Sequence, residues 1–265
     1  MNKFAIDDDF NIPEYQQVVA DMEEIYWKTG RKQFDPKTDN YSQTGRKGEL
    51  YWSRKWEYPW ALVNSGILIK DAQTGKLKKN KELKKLRVLD VGCGCAPFLP
   101  YLATLGCESY GITPDADAVN THDGLAGFDP DLGKILKLKM EIKQAGMEGI
   151  PYPDNYFDRV YCISVIEHVS DEVMIAGARE MSRVLAHGGL LTITMDTHNP
   201  EVELPRARKI IEASGLQVYG ETNFDFNNPF NCIKGIDNYR QCRYWVFCFI
   251  LEKFIHWRHC HIETS

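Results

Sequence analysis

The chain has 265 residues, of which 43% are hydrophobic and 26% are charged, the proportions of an ordinary globular protein with a real core. Its formal net charge of -5 provides no global positive field, which argues against nucleic acid or an anionic membrane surface as a partner. The most apolar late segment, Tyr244 to Leu251, is eight residues long, whereas a helix needs roughly 20 residues to cross a bilayer. We therefore expect no membrane span.

The cysteine content indicates a reducing compartment. The chain has eight cysteines, no CxxC pair, and a polar start without the pattern of a secretory signal. Reduced thiols in a cytoplasm fit this pattern best. We expect a cytoplasmic protein.

The end of the sequence carries His256, His259, Cys260 and His261, residue types that bind metals. Zinc sites usually take two pairs of ligands from separate segments, and no second pair is evident in the sequence. A surface terminus is favoured, and no metal site is predicted.

Residues 1–85 are predicted to form an N-terminal helical extension. Apolar residues recur at helical spacing after Pro13 until Gly30 ends the run. An aromatic cluster follows, and it has two open interpretations: rings packed on the main domain, or a lid over a ligand. The cluster comprises Tyr51, Trp52, Trp56, Tyr58 and Trp60.

Strand and helix patterns alternate from residue 86 onward, which is typical of a parallel sheet with right-handed crossovers. The expected fold is a Rossmann-like α/β domain over residues 86–265, with helices on both faces of a mostly parallel, seven-stranded sheet and an antiparallel last strand. A substrate-side insertion is expected at about 196–243. The predicted strands are RVLDV, Glu108–Ile112, Glu141–Ala145, Phe157–Ser164, Leu190–Met195, Leu216–Tyr219 and one from Tyr244.

The segment VLDVGCGCAPF marks a ligand site where the first of these strands ends. Gly92 and Gly94 allow the backbone to approach a ligand closely, and ligands bind at the carboxyl ends of parallel strands. The third glycine of a dinucleotide fingerprint is replaced by Pro97. The carboxylate of Asp90 suits the α-ammonium group of an amino acid better than a pyrophosphate.

Four segments in this order resemble the class I S-adenosylmethionine-dependent methyltransferases, in particular the small-molecule, type 11-like branch. They are LDVGCG, YGITPD, GIPYPDNYFDRVYCISVIEHV and REMSRVLAHGGLLTITM, and together they cover roughly residues 86 to 196. The resemblance implies S-adenosylmethionine as the cofactor and a small-molecule acceptor.

The resemblance also implies the cofactor contacts. The family usually has an acid that grips the ribose at the end of the second strand; Thr113 stands there, with Asp115 two residues later, and a ligand role and a loop role are open for each. The acid near the adenine is displaced, so Glu148 is the candidate acid, and Met147 is either a contact or a packing residue. The implied cofactor residues are Asp90, Gly92, Cys93, Gly94, Thr113, Asp115, Met147, Glu148 and Ser164.

Methyl transfer needs alignment and exclusion of water, and it needs a base only if the nucleophile carries a proton. His168 is the first candidate base and His198 the second, although His168 could instead only shape the pocket. The acceptor is expected between the aromatic extension and residues 196–243. A nicotinamide oxidoreductase and a non-catalytic cofactor-binding module of the same fold are the alternatives.

Overall fold

The computed structural model describes residues 2–4, 11–28, 50, 53–83, 85–116, 130–197, 200–220, 222–223, 233–234 and 243–254. The predicted base His198 lies outside these residues, as do Tyr51 and Trp52 of the aromatic cluster. The histidine-rich end, residues 256–261, lies outside them too.

The described elements alternate from β4 onward as the sequence predicts. The strands are β1 (Asn2–Phe4), β2 (Leu68–Lys70), β3 (Leu77–Lys79), β4 (Arg87–Val91), β5 (Glu108–Thr113), β6 (Met140–Gln144), β7 (Phe157–Ile163), β8 (Leu185–Thr197), β9 (Gln217–Val218), β10 (Thr222–Asn223), β11 (Ile233–Lys234) and β12 (Arg243–Glu252). The helices are α1 (Pro13–Lys28), α2 (Arg54–Asn64), α3 (Phe98–Thr104), α4 (Pro130–Lys139), α5 (Asp171–Val184) and α6 (Pro200–Ser214).

The main sheet has the order β12-β8-β7-β4-β5-β6, with parallel pairing from β8 to β6 and antiparallel pairing of β12 with β8. This arrangement confirms the predicted Rossmann-like architecture and its antiparallel last strand. The chain leaves β4 toward β5 and later returns to β7 on the other side of β4. That reversal of strand order is where ligands bind in open α/β sheets.

Short strands enlarge the sheet beyond the predicted seven. Among the described residues, β1, β9 and β11 pair with β12, and β10 pairs with β1. Strand β8 begins at Leu185, before the predicted Leu190, and a register irregularity against β7 accommodates the extra residues. Helix α6 begins at Pro200, where a first-turn proline needs no hydrogen-bond donor.

The core lies on both faces of the sheet because successive strand residues point to opposite sides. Tyr161 packs on one face with residues of α1, α2 and α3, and Val160 packs on the other with residues of α5 and α6. Tyr58 stacks on Phe98 with ring centroids 4.8 Å apart. The described rings of the aromatic cluster are thus buried in the core, as its packing interpretation predicts.

Candidate active site

The candidate site lies along the carboxyl edge of β4, β7 and β8. Asp90 of β4 pairs with Tyr161 of β7, and Ile163 of β7 pairs with Thr194 of β8. Asp90, Ser164 and Asp196 therefore come to the same edge of the sheet, since all three strands are parallel. Of these, Asp90 and Ser164 were predicted as site residues.

The two loop glycines have different reasons to be glycine. Gly92 has φ +78° and packs so closely on Val165 that a Cβ would lie 2.6 Å from its Cγ1 atom. Gly94 has φ +46°, and a Cβ there would meet only the carbonyl oxygen of Gly92, at 4.0 Å. Gly92 thus allows the loop to pack closely against Val165. Gly94 leaves open space beside the backbone, which we call the open floor, and a ligand can lie there.

Cys93, between the glycines, packs inward. Its side chain is 3% exposed, and its Sγ atom lies against Gly111 of β5, 2.8 Å from where a Cβ would be. Its backbone N–H donates to the carbonyl oxygen of Ile112 at 3.0 Å. The structure therefore gives the thiol a packing role, and any cofactor contact of this residue falls to its backbone.

Asp90 is a buried carboxyl group beside this loop. It is 5% exposed, and burial raises its pKa to about 7, while the positive charge of Arg54 acts in the opposite direction. A second cation next to Asp90 would favour the ionised form further. The residue therefore fits the ammonium group of an amino-acid tail.

The predicted ribose contacts lie at the end of β5. Thr113 is buried, and its hydroxyl oxygen accepts a hydrogen bond from the backbone N–H of Asp115 at 3.3 Å. The Asp115 residue is exposed. This geometry forms a turn that presents Asp115 outward, and both ribose contacts stay predictions.

The predicted adenine contacts differ in their surroundings. Met147 is buried and lies in a gap at Gly177 of α5, where a Cβ would be 2.7 Å from its Sδ atom. Glu148 is exposed, and its carboxylate folds back to the place that a side chain on Gly146 would occupy. The carboxylate of Glu148 therefore lies beside Gly146, a residue that has no acidic side chain of its own.

Arg183 of α5 holds the loop after Glu148. Its guanidinium donates to the carbonyl oxygens of Ile150 and Tyr152, each at 2.8 Å, and to the carboxylate of Glu180 at 2.7 and 2.8 Å. Those contacts fix one wall of the candidate site to α5.

Arg206 of α6 holds the loop after β7 in the same way. Its guanidinium donates to the carbonyl oxygens of Glu167 at 3.0 Å and Val169 at 2.6 Å. It also donates to Asp171 at 3.0 Å. The loop that carries Glu167 and His168 is therefore fixed to α6.

A buried ion pair connects α2 with the ends of β7 and β8. The fully buried Glu57 accepts hydrogen bonds from Ser164 at 2.6 Å and from Thr194, and it forms an ion pair with Arg54. Burial lowers the pKa of Arg54, but the charges of Glu57 and Asp196 outweigh it and raise that pKa overall. Arg54 therefore stays charged inside the site.

Ser164 adopts a backbone conformation that is rare for a non-glycine residue, with φ 46°. Its N–H donates to the Thr194 carbonyl at 3.0 Å, and its hydroxyl lies 2.5 Å from the guanidinium of Arg54. These contacts hold the strained residue at the predicted cofactor-facing position.

Glu167 and Asp196, which we call the carboxyl pair, lie beyond this ion pair. The Oε1 atom of Glu167 accepts the backbone N–H of Asp196 at 3.0 Å, and the Oδ2 atom of Asp196 lies 3.6 Å from Arg54. The Oε2 atom of Glu167 and the Oδ1 atom of Asp196 are buried and have no hydrogen-bond partner within the described part of the chain.

Both members of the carboxyl pair hold protons more tightly than usual. Burial, followed by the charge of Asp196, raises the pKa of Glu167 to about 8. Burial, followed by the charge of Glu57, raises the pKa of Asp196 to about 7, and Arg54 opposes that rise. Perturbed pKa values of this kind in a cleft are typical of functional groups.

His168, the first predicted base, lies at the outer side of the carboxyl pair. Its side chain is 72% exposed, and its Nε2 atom is 3.9 Å from the Oε1 atom of Glu167. The structure therefore places this histidine between Glu167 and solvent.

Four residues of the site have no role assigned to them from the sequence. These residues are Arg54, Glu57, Glu167 and Asp196. One signal was present: Glu57 stands between Trp56 and Tyr58, and a charge within a run of buried rings indicates a paired polar group.

Comparison with known proteins agrees with this geometry. Residues 89–193 match the family model described as a methyltransferase domain. The chain is 32% identical over 120 residues to ajmaline N-methyltransferase of Rauvolfia serpentina, covering 44% of this chain and 38% of that protein. It is 33% identical over 114 residues to the mitochondrial ubiquinone biosynthesis O-methyltransferase of Mus musculus, covering 43% of this chain and 30% of that protein. The match thus spans less than half of either relative.

A solved structure shares the fold. A SAM-dependent methyltransferase from Aquifex aeolicus aligns with a TM-score of 0.50 at 18% identity, over 83% of this chain and 100% of that one. Within the described ranges, no helix is both long enough and apolar enough to span a membrane. The same ranges contain no group of three or more His, Cys, Asp or Glu residues arranged to hold a metal ion.

Proposed function

Since the chain belongs to the class I S-adenosylmethionine-dependent methyltransferases through its domain at residues 89–193, we propose that it methylates an oxygen or nitrogen atom of a small molecule. The observation that carries this proposal is the buried carboxyl group of Asp90 beside the open floor at Gly94. The carboxylate of Asp90 would attract a cationic amino-acid tail, and the open space beside Gly94 would admit it.

Different residues of the carboxyl edge would contact different parts of the cofactor. Asp90 would hold the ammonium group, Gly94 would admit the methionine part, and Thr113 or Asp115 would hold the ribose. Glu148, whose carboxylate lies over Gly146, would approach the adenine. Bound there, S-adenosylmethionine supplies a methyl group on a positively charged sulfur atom.

The acceptor would lie over the ends of β7 and β8, beneath α2. Helix α2 packs Trp56 and Trp60 into the core, and its Glu57 is bonded to Ser164 and Thr194. Because these contacts hold α2 in place, the helix would exclude water from the transfer and align the acceptor with the methyl carbon. The relatives named above act, by their names, on ajmaline and in ubiquinone biosynthesis, which supports a small-molecule acceptor.

His168 and His198 are proposed to handle the acceptor's proton. His168 adjoins Glu167 on the solvent side, so it can pass a proton outward from the site. A reducing, cytoplasmic location is part of the same proposal. It is supported by the sequence, whose eight cysteines include no CxxC pair.

Calorimetry with S-adenosylhomocysteine tests the proposed function. We expect Asp90→Ala to weaken binding at least tenfold, about 1.4 kcal/mol, because the ammonium group loses its buried partner. The control is Glu212→Ala, which removes an exposed carboxylate from α6. NADH is the comparison ligand, since a nicotinamide oxidoreductase would bind it. The Asp90 carboxylate would repel the pyrophosphate of NADH.

Two results would contradict the proposal. One is wild-type protein that binds NADH but not S-adenosylhomocysteine. The other is an Asp90→Ala variant that folds and binds the nucleoside as tightly as the Glu212→Ala control.

A further inference from the structure

The carboxyl pair has binding capacity that the described protein does not use. Glu167 is 4% exposed in its side chain, yet its Oε2 atom has no hydrogen-bond partner among the described residues, and the same is true of the Oδ1 atom of Asp196. An unsatisfied buried polar atom costs about 1–3 kcal/mol. Such atoms require an explanation, and a ligand group that donates hydrogen bonds to them provides one.

The pair is placed on the acceptor side of the site. Asp196 lies on β8, and β7 separates β8 from β4, which carries Asp90. Neighbouring strands are about 4.8 Å apart, so the pair is displaced by about 10 Å along the sheet edge from the ammonium site at Asp90. A reacting methyl group belongs between these two positions.

The charges of the site favour a cation at the carboxyl pair. One described guanidinium, that of Arg54, faces the carboxyl groups of Glu57, Asp90 and Asp196, and Glu167 adds a fourth. The cofactor's ammonium would balance Asp90. The carboxyl pair is then left with Arg54, which Glu57 already holds by a direct ion pair. The outward neighbour, His168, is exposed.

We propose that Glu167 and Asp196 bind the protonated amine of the acceptor, so that this enzyme is an N-methyltransferase of amines. The inference rests on the proposed function and names the acceptor class for it. An alkylammonium group has several N–H donors, so it can satisfy both unpartnered oxygens and supply the missing charge. A hydroxyl group has one donor and supplies no charge.

The carboxyl pair also accounts for the proton. Its ionised form takes one proton from the ammonium, which leaves a neutral amine with a free electron pair. That electron pair forms the new N–C bond to the methyl carbon while the C–S bond breaks, and its electrons stay on sulfur as a thioether. The nitrogen becomes a methylated ammonium, and the proton on the pair leaves to water past His168.

The test uses deuteromethyl S-adenosylmethionine with a metabolite extract, followed by mass spectrometry that assigns the labelled atom. We expect the label on amine nitrogens. With the unlabelled form of the identified amine as substrate, Glu167→Gln and Asp196→Asn should each lower kcat at least about 100-fold, the usual size of general-base catalysis. Affinity for S-adenosylhomocysteine should stay within threefold, and Glu167→Asp should recover part of the rate.

The matched control is Glu212→Gln, which makes the same chemical change on an exposed part of α6. In the wild type the rate should depend on pH through the pKa values of both members of the carboxyl pair. In Glu167→Gln the part of this dependence that belongs to Glu167 should disappear, a change that a purely structural role would not cause.

The outcomes separate the two proposals. Failure of the wild type to bind S-adenosylhomocysteine overturns the proposed function. Normal binding with no labelled amine, or with label only on oxygen, carbon or sulfur, overturns the amine site alone. Loss of transfer on addition of EDTA would also overturn it, because the pair would then hold a metal ion.

Discussion

At the scale of single residues, Glu167 and His168 are chain neighbours with opposite surroundings. Glu167 is 4% exposed in its side chain and His168 is 72% exposed, although their side chains come within 3.9 Å. Burial raises the pKa of a carboxyl group, so the buried Glu167 fits the role of the base. The exposed His168 fits the role of passing the proton on to solvent.

The His168→Ala variant distinguishes these roles. We expect kcat to fall less than about tenfold, because water can replace an exposed proton carrier, whereas a true base contributes about 10²–10⁴. Turnover of the acceptor that the labelling experiment identifies and calorimetric affinity for S-adenosylhomocysteine are the measurements. His187→Ala, at the opposite end of β8, is the control. A hundredfold fall in kcat with unchanged affinity would instead assign the base to His168.

At the scale of elements, the β4–α3 loop makes separate demands on its two glycines. Gly92→Ala adds a positive-φ strain of about 1–2 kcal/mol and an overlap with Val165 that costs about 1–3 kcal/mol. We expect a total loss of about 2–5 kcal/mol in the free energy of unfolding, measured by urea denaturation. Gly94→Ala should lose only the strain but should weaken S-adenosylhomocysteine binding.

Two further variants isolate the overlap. Gly188→Ala has φ +75° and no atom within 4 Å of its added Cβ, so it measures the strain alone. Val165→Ala makes room at Gly92, so Gly92→Ala should cost about 1–2 kcal/mol in that background. An equal cost in both backgrounds would mean that Val165 does not restrict the loop.

Seven of the described strands could be predicted from the sequence, because strand patterns and glycine turns are local. Asp90 and Gly94 were located for the same reason. The short strands that were not predicted are β1, β2, β3, β10 and β11. The bonds of Glu57 to Ser164 and Thr194 span 107 and 137 residues, and no local pattern encodes which distant hydroxyl a buried carboxylate meets. The acid beside Gly146 is likewise not encoded by a local pattern, because it comes from Glu148, two residues further along the chain.

At the scale of the whole molecule, the buried carboxyl groups determine how stability depends on pH. The pKa values of Asp90, Asp196 and Glu167 rise from ordinary values of 3.8, 3.8 and 4.5 to about 7, 7 and 8. Between these limits the folded protein binds more protons than the unfolded chain, so stability falls as pH rises. Exposed carboxyl groups such as Asp171, whose pKa is lowered by its hydrogen bond to Lys209, act in the opposite sense only in more acidic solution.

We therefore expect the thermal midpoint of the ligand-free protein to decrease by about 10 °C or more from pH 5.5 to pH 8.5. Each proton of difference is about 1.4 kcal/mol per pH unit, and 1 kcal/mol moves the midpoint by about 2–4 °C at this chain size. Differential scanning calorimetry of wild type and Glu167→Gln measures the effect. The variant should show a flatter dependence and a relative gain at high pH, because its amide cannot ionise. A wild-type midpoint that stays constant or rises over this range would show that burial does not raise the pKa values of the three groups in the folded protein.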